Sequence, residues 1–245
     1  MPLNFFGGAG LANSEPASAG AAAPFSFGQP PGYFPVDLPN SGAIAATFLD
    51  TFENEPDLTE HDRGLLVEGI ETLDAQIAAV RNAGGIYFAH GLHPDPRLGV
   101  AESYLAVYVR DTAIGNPRSV LAAFAEAAAG EPGIRAVSRQ DFVGGPAVTA
   151  EYEHTFPAVS TERLPTTDRV TLRQLRAAFS FPDGDKLTII ELTTRHTTLW
   201  SDYRSILPAT ANTVNFEPLD ELEEEPPPDA QDPETVSDRL SRLLG

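Results

Sequence analysis

The stretch RVTLRQLRAAFSFPDGDKLTIIELTT, residues 169–194, sets the fold class. Two runs rich in β-branched and apolar residues, 169–181 and 186–194, flank Pro182-Asp183-Gly184-Asp185, which carries the chemistry of a tight turn. The segment reads as a β-hairpin. Upstream, in 146–155, Val148, Ala150 and Tyr152 alternate with Glu151 and Glu153, the period of a half-buried strand. Residues 134–141 form its neighbour across Gly144-Gly145. Downstream, residues 197–213 present Trp200, Tyr203, Leu207 and Ala211 on one helical stripe.

Further towards the N-terminus, Asn116-Pro117 has the form of an N-cap followed by proline at the first helical position. The helix it opens turns Val120, Leu121, Phe124 and Ala128 inward and stops at Gly130 to Gly133. Two strands precede it, 86–92 and 101–110, with His93-Pro94-Asp95-Pro96 opening the loop between them. Before them Leu66, Ile70, Leu73, Ile77 and Val80 recur at helical spacing, behind a capping-box pair Thr59 and Asp62 and ahead of Gly84-Gly85. A further helix with Ile44, Phe48 and Phe52 is expected over 42–53, after an extended lead-in at 33–38. Strands adjacent in sequence and joined by short turns predict an α+β fold, a largely antiparallel sheet of about six strands with helices packed on it.

Composition frames this core. The chain has 245 residues, 35 acidic and 16 basic side chains and a net charge of −19. Such acidity argues against nucleic acid, whose binding requires cations on the surface, and against anionic membranes. The absence of cysteine removes disulfides, thiolate metal sites and cysteine nucleophiles. No apolar run approaches the roughly 18 residues of a membrane span. The first residues lack a basic region and a long apolar segment, so a cytoplasmic protein without a secretory signal is expected.

The charge is uneven, and it divides the chain into three. Residues 1–32, mostly Ala, Gly, Pro and Ser, hold one acid and no base. That composition predicts a disordered arm. Its paired aromatics, Phe5 with Phe6 and Phe25 with Phe27, are candidate partner-binding residues. Residues 33–216 form the single folded domain. Residues 217–245 hold ten acids and two bases and include Pro226, Pro227 and Pro228. In that acidic, proline-rich tail Val236, Leu240, Leu243 and Leu244 recur at helical spacing, the pattern of a peptide that folds on docking to a partner.

The segment 187–216, LTIIELTTRHTTLWSDYRSILPATANTVNF, together with Gly144-Gly145-Pro146-Ala147-Val148, resembles a broad group of actinobacterial proteins with the PsbP-like α/β/α sandwich. The group often carries Gly-Trp near its start, where this chain has Asp37-Leu38. The resemblance covers residues 33–217 and implies protein binding rather than catalysis, with no catalytic residues to carry over. It also implies an association with type VII secretion genes.

Read residue by residue, the chemistry agrees. His90 and His93 are three apart on a strand, which points them to opposite faces, although Asp95 could join His93 in a loop as metal ligands. Ser201, Asp202 and His196 sit at a helix start, where Thr197, Thr198 and Asp202 are accounted for by capping and the helix dipole. Glu151 and Glu153 share a strand face, as an acid–base pair could. Arg163, Arg169, Arg173 and Arg176 are either an anion-binding cluster or cross-strand ion-pair partners of Glu151, Glu153 and Glu191. No cofactor is expected. A non-catalytic adaptor binding a protein partner of unknown identity is the first expectation. The alternative is a binding domain or enzyme for a small apolar ligand, lined by Trp200, Tyr203, Tyr104, Tyr108 and Phe179.

Overall fold

The structure, a computed structural model, describes residues 25–39, 60–95, 99–157 and 169–216. The elements in chain order are β1 (Tyr33–Pro35), α1 (Glu60–Asn82), β2 (Gly85–Asp95), β3 (Gly99–Asp111), α2 (Pro117–Gly130), β4 (Ile134–Phe142), β5 (Gly145–Pro157), β6 (Arg169–Ser180), β7 (Lys186–Thr194), a 3-10 turn (Thr197–Leu199) and α3 (Trp200–Ala211). The seven strands form one sheet in the order β1-β2-β3-β7-β6-β5-β4, and every pairing is antiparallel. The α+β class is that read from the sequence. The strand count is seven rather than six, because the lead-in at Tyr33 pairs with β2 (Tyr33↔Gly91, Phe34↔His90, Pro35↔Ala89). The helix expected over 42–53, Thr59, and the side chains of Asp62 and Leu66 lie outside the described residues.

The β6–β7 hairpin closes as its turn residues require. Gly184 takes a φ of 73°, and its amide donates to the Phe181 carbonyl at 2.9 Å. A Cβ on Gly184 would stand 2.5 Å from the Asn116 nitrogen, so this glycine also lets α2 start against the turn. Thr112 Oγ1 donates to the Gly184 carbonyl at 2.6 Å, and the Gly115 amide does so at 3.2 Å. Asn116 then caps α2, accepting from the Ser119 amide at 3.1 Å, with Pro117 at the first turn.

Helices cover both faces of the sheet, and the pleat decides which side chain meets which helix. On one face Ile77 and Val80 of α1 pack on Phe88, Ala106 and Tyr108. On the same face Val120 and Leu121 of α2 pack on Val148, Ala178 and Leu187. On the other face Trp200, Tyr203, Leu207 and Ala211 of α3 pack on Leu105, Val107, Ala177, Phe179, Ile190 and Leu192. The stripes read from residue spacing face the sheet in α2 and α3, and in α1 Ile77 and Val80 are the buried part of the stripe.

Two expectations need correction. His93, Pro94 and Asp95 belong to β2, which continues past Leu92 paired to β3, and do not open a loop. Residues 25–32, expected to be part of a disordered arm, are placed against the domain. Phe25 is buried, and Ser26 and Asn215 exchange backbone hydrogen bonds at 2.8 and 2.9 Å. The Phe25 ring meets Phe27, Phe181 and Phe216, while Phe27 sits edge-on to Tyr87 at 5.0 Å. The Ala/Gly/Pro/Ser background of 1–32 concealed that these two rings complete the core beside Val214. Phe25 is accordingly a core residue of this chain, and Phe27 packs half-buried against it. Phe5 and Phe6 lie outside the described residues.

Removing the Phe25 ring opens a cavity in that aromatic cluster. Phe25→Ala is expected to lower stability by about 3 kcal/mol, read from the urea midpoint at unchanged m-value. A shift within error of wild type would mean that the ring does not belong to the core.

Candidate functional site

Arg169, Arg173 and Arg176 do not converge on one anion site. Arg163 lies outside the described residues. Arg169 donates to the Thr155 carbonyl at 3.3 Å on the exposed end of β6. Arg173 and Arg176 point to opposite faces, being three apart on β6. Arg176 is buried under α2, where its Nε donates to Glu191 at 2.9 Å. Its Nη1 donates to Glu131 at 2.8 Å and to the Tyr152 hydroxyl at 3.2 Å. The guanidinium also lies 4.5 Å from the centre of the Tyr152 ring. Burial alone would lower the Arg176 pKa, but Glu191, Tyr152 and Glu131 outweigh it and the group is raised. Burial pushes the neighbouring Tyr108 and Tyr152 up, keeping both phenols neutral. Glu131 caps the end of α2, so this ion network holds that helix on the sheet.

On the opposite face, the carboxylate pair Glu151 and Glu153 is fully engaged. Trp200 Nε1 donates to Glu151 at 3.0 Å, and Arg204 and Arg173 approach it at 3.5 and 3.7 Å. Glu153 pairs with Arg173 at 2.6 Å and with Arg135. Hydrogen bonding from Arg135 leads the effects that hold the Glu153 pKa below its ordinary value. A lowered pKa and two guanidinium partners suit Glu153 to an ion-pair role rather than to that of a general acid. Beside this network a cleft of about 120 Å³ runs between α3 and the outer strands, lined in part by Ser138, Gln140, Thr149, Glu151, Arg204 and Pro208. That volume is well under the roughly 300 Å³ at which small-molecule pockets begin.

The aromatic set expected to line an apolar pocket is split by the sheet. Trp200, Tyr203 and Phe179 pack on the α3 face, whereas Tyr104 and Tyr108 pack on the α1 face. The five rings line no common cavity.

A polar cluster that the sequence reading missed lies under the start of α3. The Tyr33 hydroxyl and Ser103 Oγ are hydrogen-bonded at 2.7 Å, and His93 Nε2 and Ser103 Oγ at 3.1 Å. The His93 ring is edge-on to both Tyr33 and Tyr203, each at 5.2 Å. A serine beside a histidine invites a nucleophilic reading. Ser103 is 0% exposed, however, so no substrate reaches its oxygen. Gly91 makes the space: a Cβ there would stand 2.6–2.8 Å from Ser103 Oγ, Tyr33 Cε1 and His93 Nε2. A glycine inside the strand pattern IYFAHGLH was the available signal of such a close approach.

His90 and His93 occupy opposite faces of β2, as their spacing requires, and His90 stacks on Tyr104 at 5.0 Å. Among the described residues no three metal-ligating side chains converge. Ser201 and Asp202 meet at 3.5 Å, while His196 Nε2 is buried without a partner. Thr198 does not cap the helix: it donates to the buried Asp95 at 3.5 Å, and no side chain caps α3 or the 3-10 turn. Val236, Leu240, Leu243 and Leu244 lie outside the described residues.

Two outcomes follow from the buried titratable groups. Arg176→Met strands Glu191 in a nearly dry site and should cost about 3 kcal/mol of unfolding free energy. Adding Glu191→Leu should recover most of that loss in the same urea titration. A single variant as stable as wild type would show the pair to be solvated. Separately, burial holds His90, His93, His154 and His196 below their ordinary 6.5. The unfolded chain protonates first on acidification, so this stability is complete above pH 6.5 and is lost as pH falls below it. Urea midpoints should be flat from pH 8 to 7 and decline towards about pH 5, with a shallower decline in His90→Phe.

No protein-family model matches the chain, and no curated protein matches it in sequence. The candidate sites rest on the geometry of this chain alone.

Proposed function

We propose that the protein is a non-catalytic adaptor that works through protein–protein contact. The observation that carries this reading is the make-up of residues 217–245. Ten acids and three consecutive prolines lead into Val236, Leu240, Leu243 and Leu244 at helical spacing. An acidic spacer followed by one apolar stripe suits a peptide that becomes helical in the groove of a partner, the partner supplying the burial that so short a helix lacks. The arrangement of the core supports the reading. Glu151, Glu153 and Glu191 are paired with Arg135, Arg173, Arg176 and Arg204, and Ser103 beside the half-buried His93 is itself buried.

The proposal includes a PsbP-like core, a cytoplasmic location, no nucleic-acid partner and the association with type VII secretion that the resemblance implies. Among the described residues no helix is long and apolar enough to cross a membrane.

The test compares full-length protein with the full-length variant Leu240→Ser/Leu243→Ser in affinity capture with quantitative mass spectrometry. A partner retained by the wild type should fall at least roughly tenfold in the variant, as expected when two buried leucines of an interface are lost. Identical capture by both would end the adaptor reading through this tail.

A further inference from the structure

Among the described residues the sheet has two open edges. The β1 edge is three residues long and ends in Pro35, which has no N–H to offer. The β4 edge is nine residues long. Its partner β5 shows which backbone groups are free. Pro146 stands opposite Asp141 and cannot donate, so the bonded pairs on that side are Gln140↔Ala147 and Ser138↔Thr149. The backbone groups of Val137, Arg139 and Asp141 therefore face outwards. Arg139, Gln140 and Asp141 are exposed, and neither charge has an ion-pair partner among the described residues. The turn that follows is fixed. A Cβ on Gly144 would stand 2.3 Å from the Val214 carbonyl oxygen, so the turn rests on the backbone after α3. At its tip Val143 is 84% exposed, the most exposed large apolar side chain described.

We infer that β4 is a homodimer edge, pairing antiparallel with β4 of a second copy about a two-fold axis at Gln140. Charge complementarity selects both the occupant and the register. Centred on Gln140, each Arg139 lies opposite Asp141 of the other copy, on the same face, at the two positions whose backbone groups point outwards. The same register brings the turn that carries Val143 to the end of the partner strand near Val137, which packs beneath α2. Centring on Arg139 would oppose two guanidiniums. Centring on Ser138 would use Arg135, which Glu153 already holds. Charges on an edge strand ordinarily prevent pairing with other sheets. In this order, Arg-Gln-Asp, they reject most strands and accept their own two-fold image.

Sedimentation of the full chain tests the inference. Wild type should show a monomer–dimer equilibrium that weakens with added salt. Arg139→Asp and Asp141→Arg each create two like-charge pairs, and each should weaken association about tenfold or more. A 1:1 mixture of the two variants restores both attractive pairs and should dimerise again, which also shows that both variants are folded. Gln140→Cys provides a second readout in a chain without cysteine. A non-hydrogen-bonded pair at the axis brings the two Cα atoms to about 4.5 Å, within disulfide range, so oxidation should give covalent dimer faster than Val67→Cys on α1. Three results would each overturn the inference: a wild type monomeric to roughly 0.5 mM, where even weak pairing registers; a dimer indifferent to either charge reversal; or a mixture that stays monomeric.

Discussion

The pairing of β7 with β3 is the constraint on which the molecule depends. Without it the chain contains two separate meanders, β1 to β3 and β4 to β7. Residues Ser103 to Asp111 of β3 lie against Thr194 to Lys186 of β7, and that ladder makes them one sheet. It also gives each helix its floor. Ile190 and Leu192 of β7 lie under α3 beside Leu105 and Val107 of β3, while Ile189 meets the cores under α1 and α2. The strands are distant in sequence, so their pairing carries a large loop-closure cost. The Gly184 turn helps to offset it, because Thr112 at the end of β3 bonds directly to that turn.

The charge distribution follows from the same geometry. Two of the scarce arginines of this strongly acidic chain each sit between a pair of carboxylates. Arg176 sits between Glu191 and Glu131, and Arg173 between Glu151 and Glu153. These pairs specify position more than they add stability, since desolvation cancels much of their attraction. Arg176 ties the C-cap of α2 to the centre of the sheet, and Arg204 ties α3 to β5. Asp141, Asp183 and Asp202, by contrast, stand exposed on the surface.

What the sequence made legible was local. The Pro182–Asp185 turn, the Asn116-Pro117 cap and the buried stripes of α2 and α3 are each set by residues within a few positions of one another, and each appears as read. The ion-pair reading of Arg173 and Arg176 also needed only opposite charges on adjacent strands. What was illegible depends on contacts distant in sequence. Phe25 is recognisable as core only when Val214 and Phe216 are known to lie beside it. Tyr33, His93 and Ser103 meet only because Gly91 lacks a side chain, so an omission rather than a residue marks the cluster. The two orientations of β2's histidines were predictable from pleat alone, but the continuation of that strand through Pro94 was not, since proline there reads as a break.

The Ser26–Asn215 bridge brings the ends of the folded body together. Two residues separated by most of the chain exchange backbone bonds, and Gly28 donates to Thr213 beside them. Whatever precedes Phe25 and whatever follows Phe216 is therefore tethered at one point on the surface. Two segments of opposite character, one nearly uncharged and one strongly acidic, begin within a strand's width of each other. Any molecule that touches both meets them as a single bivalent ligand, with the second contact favoured by proximity rather than by its own strength.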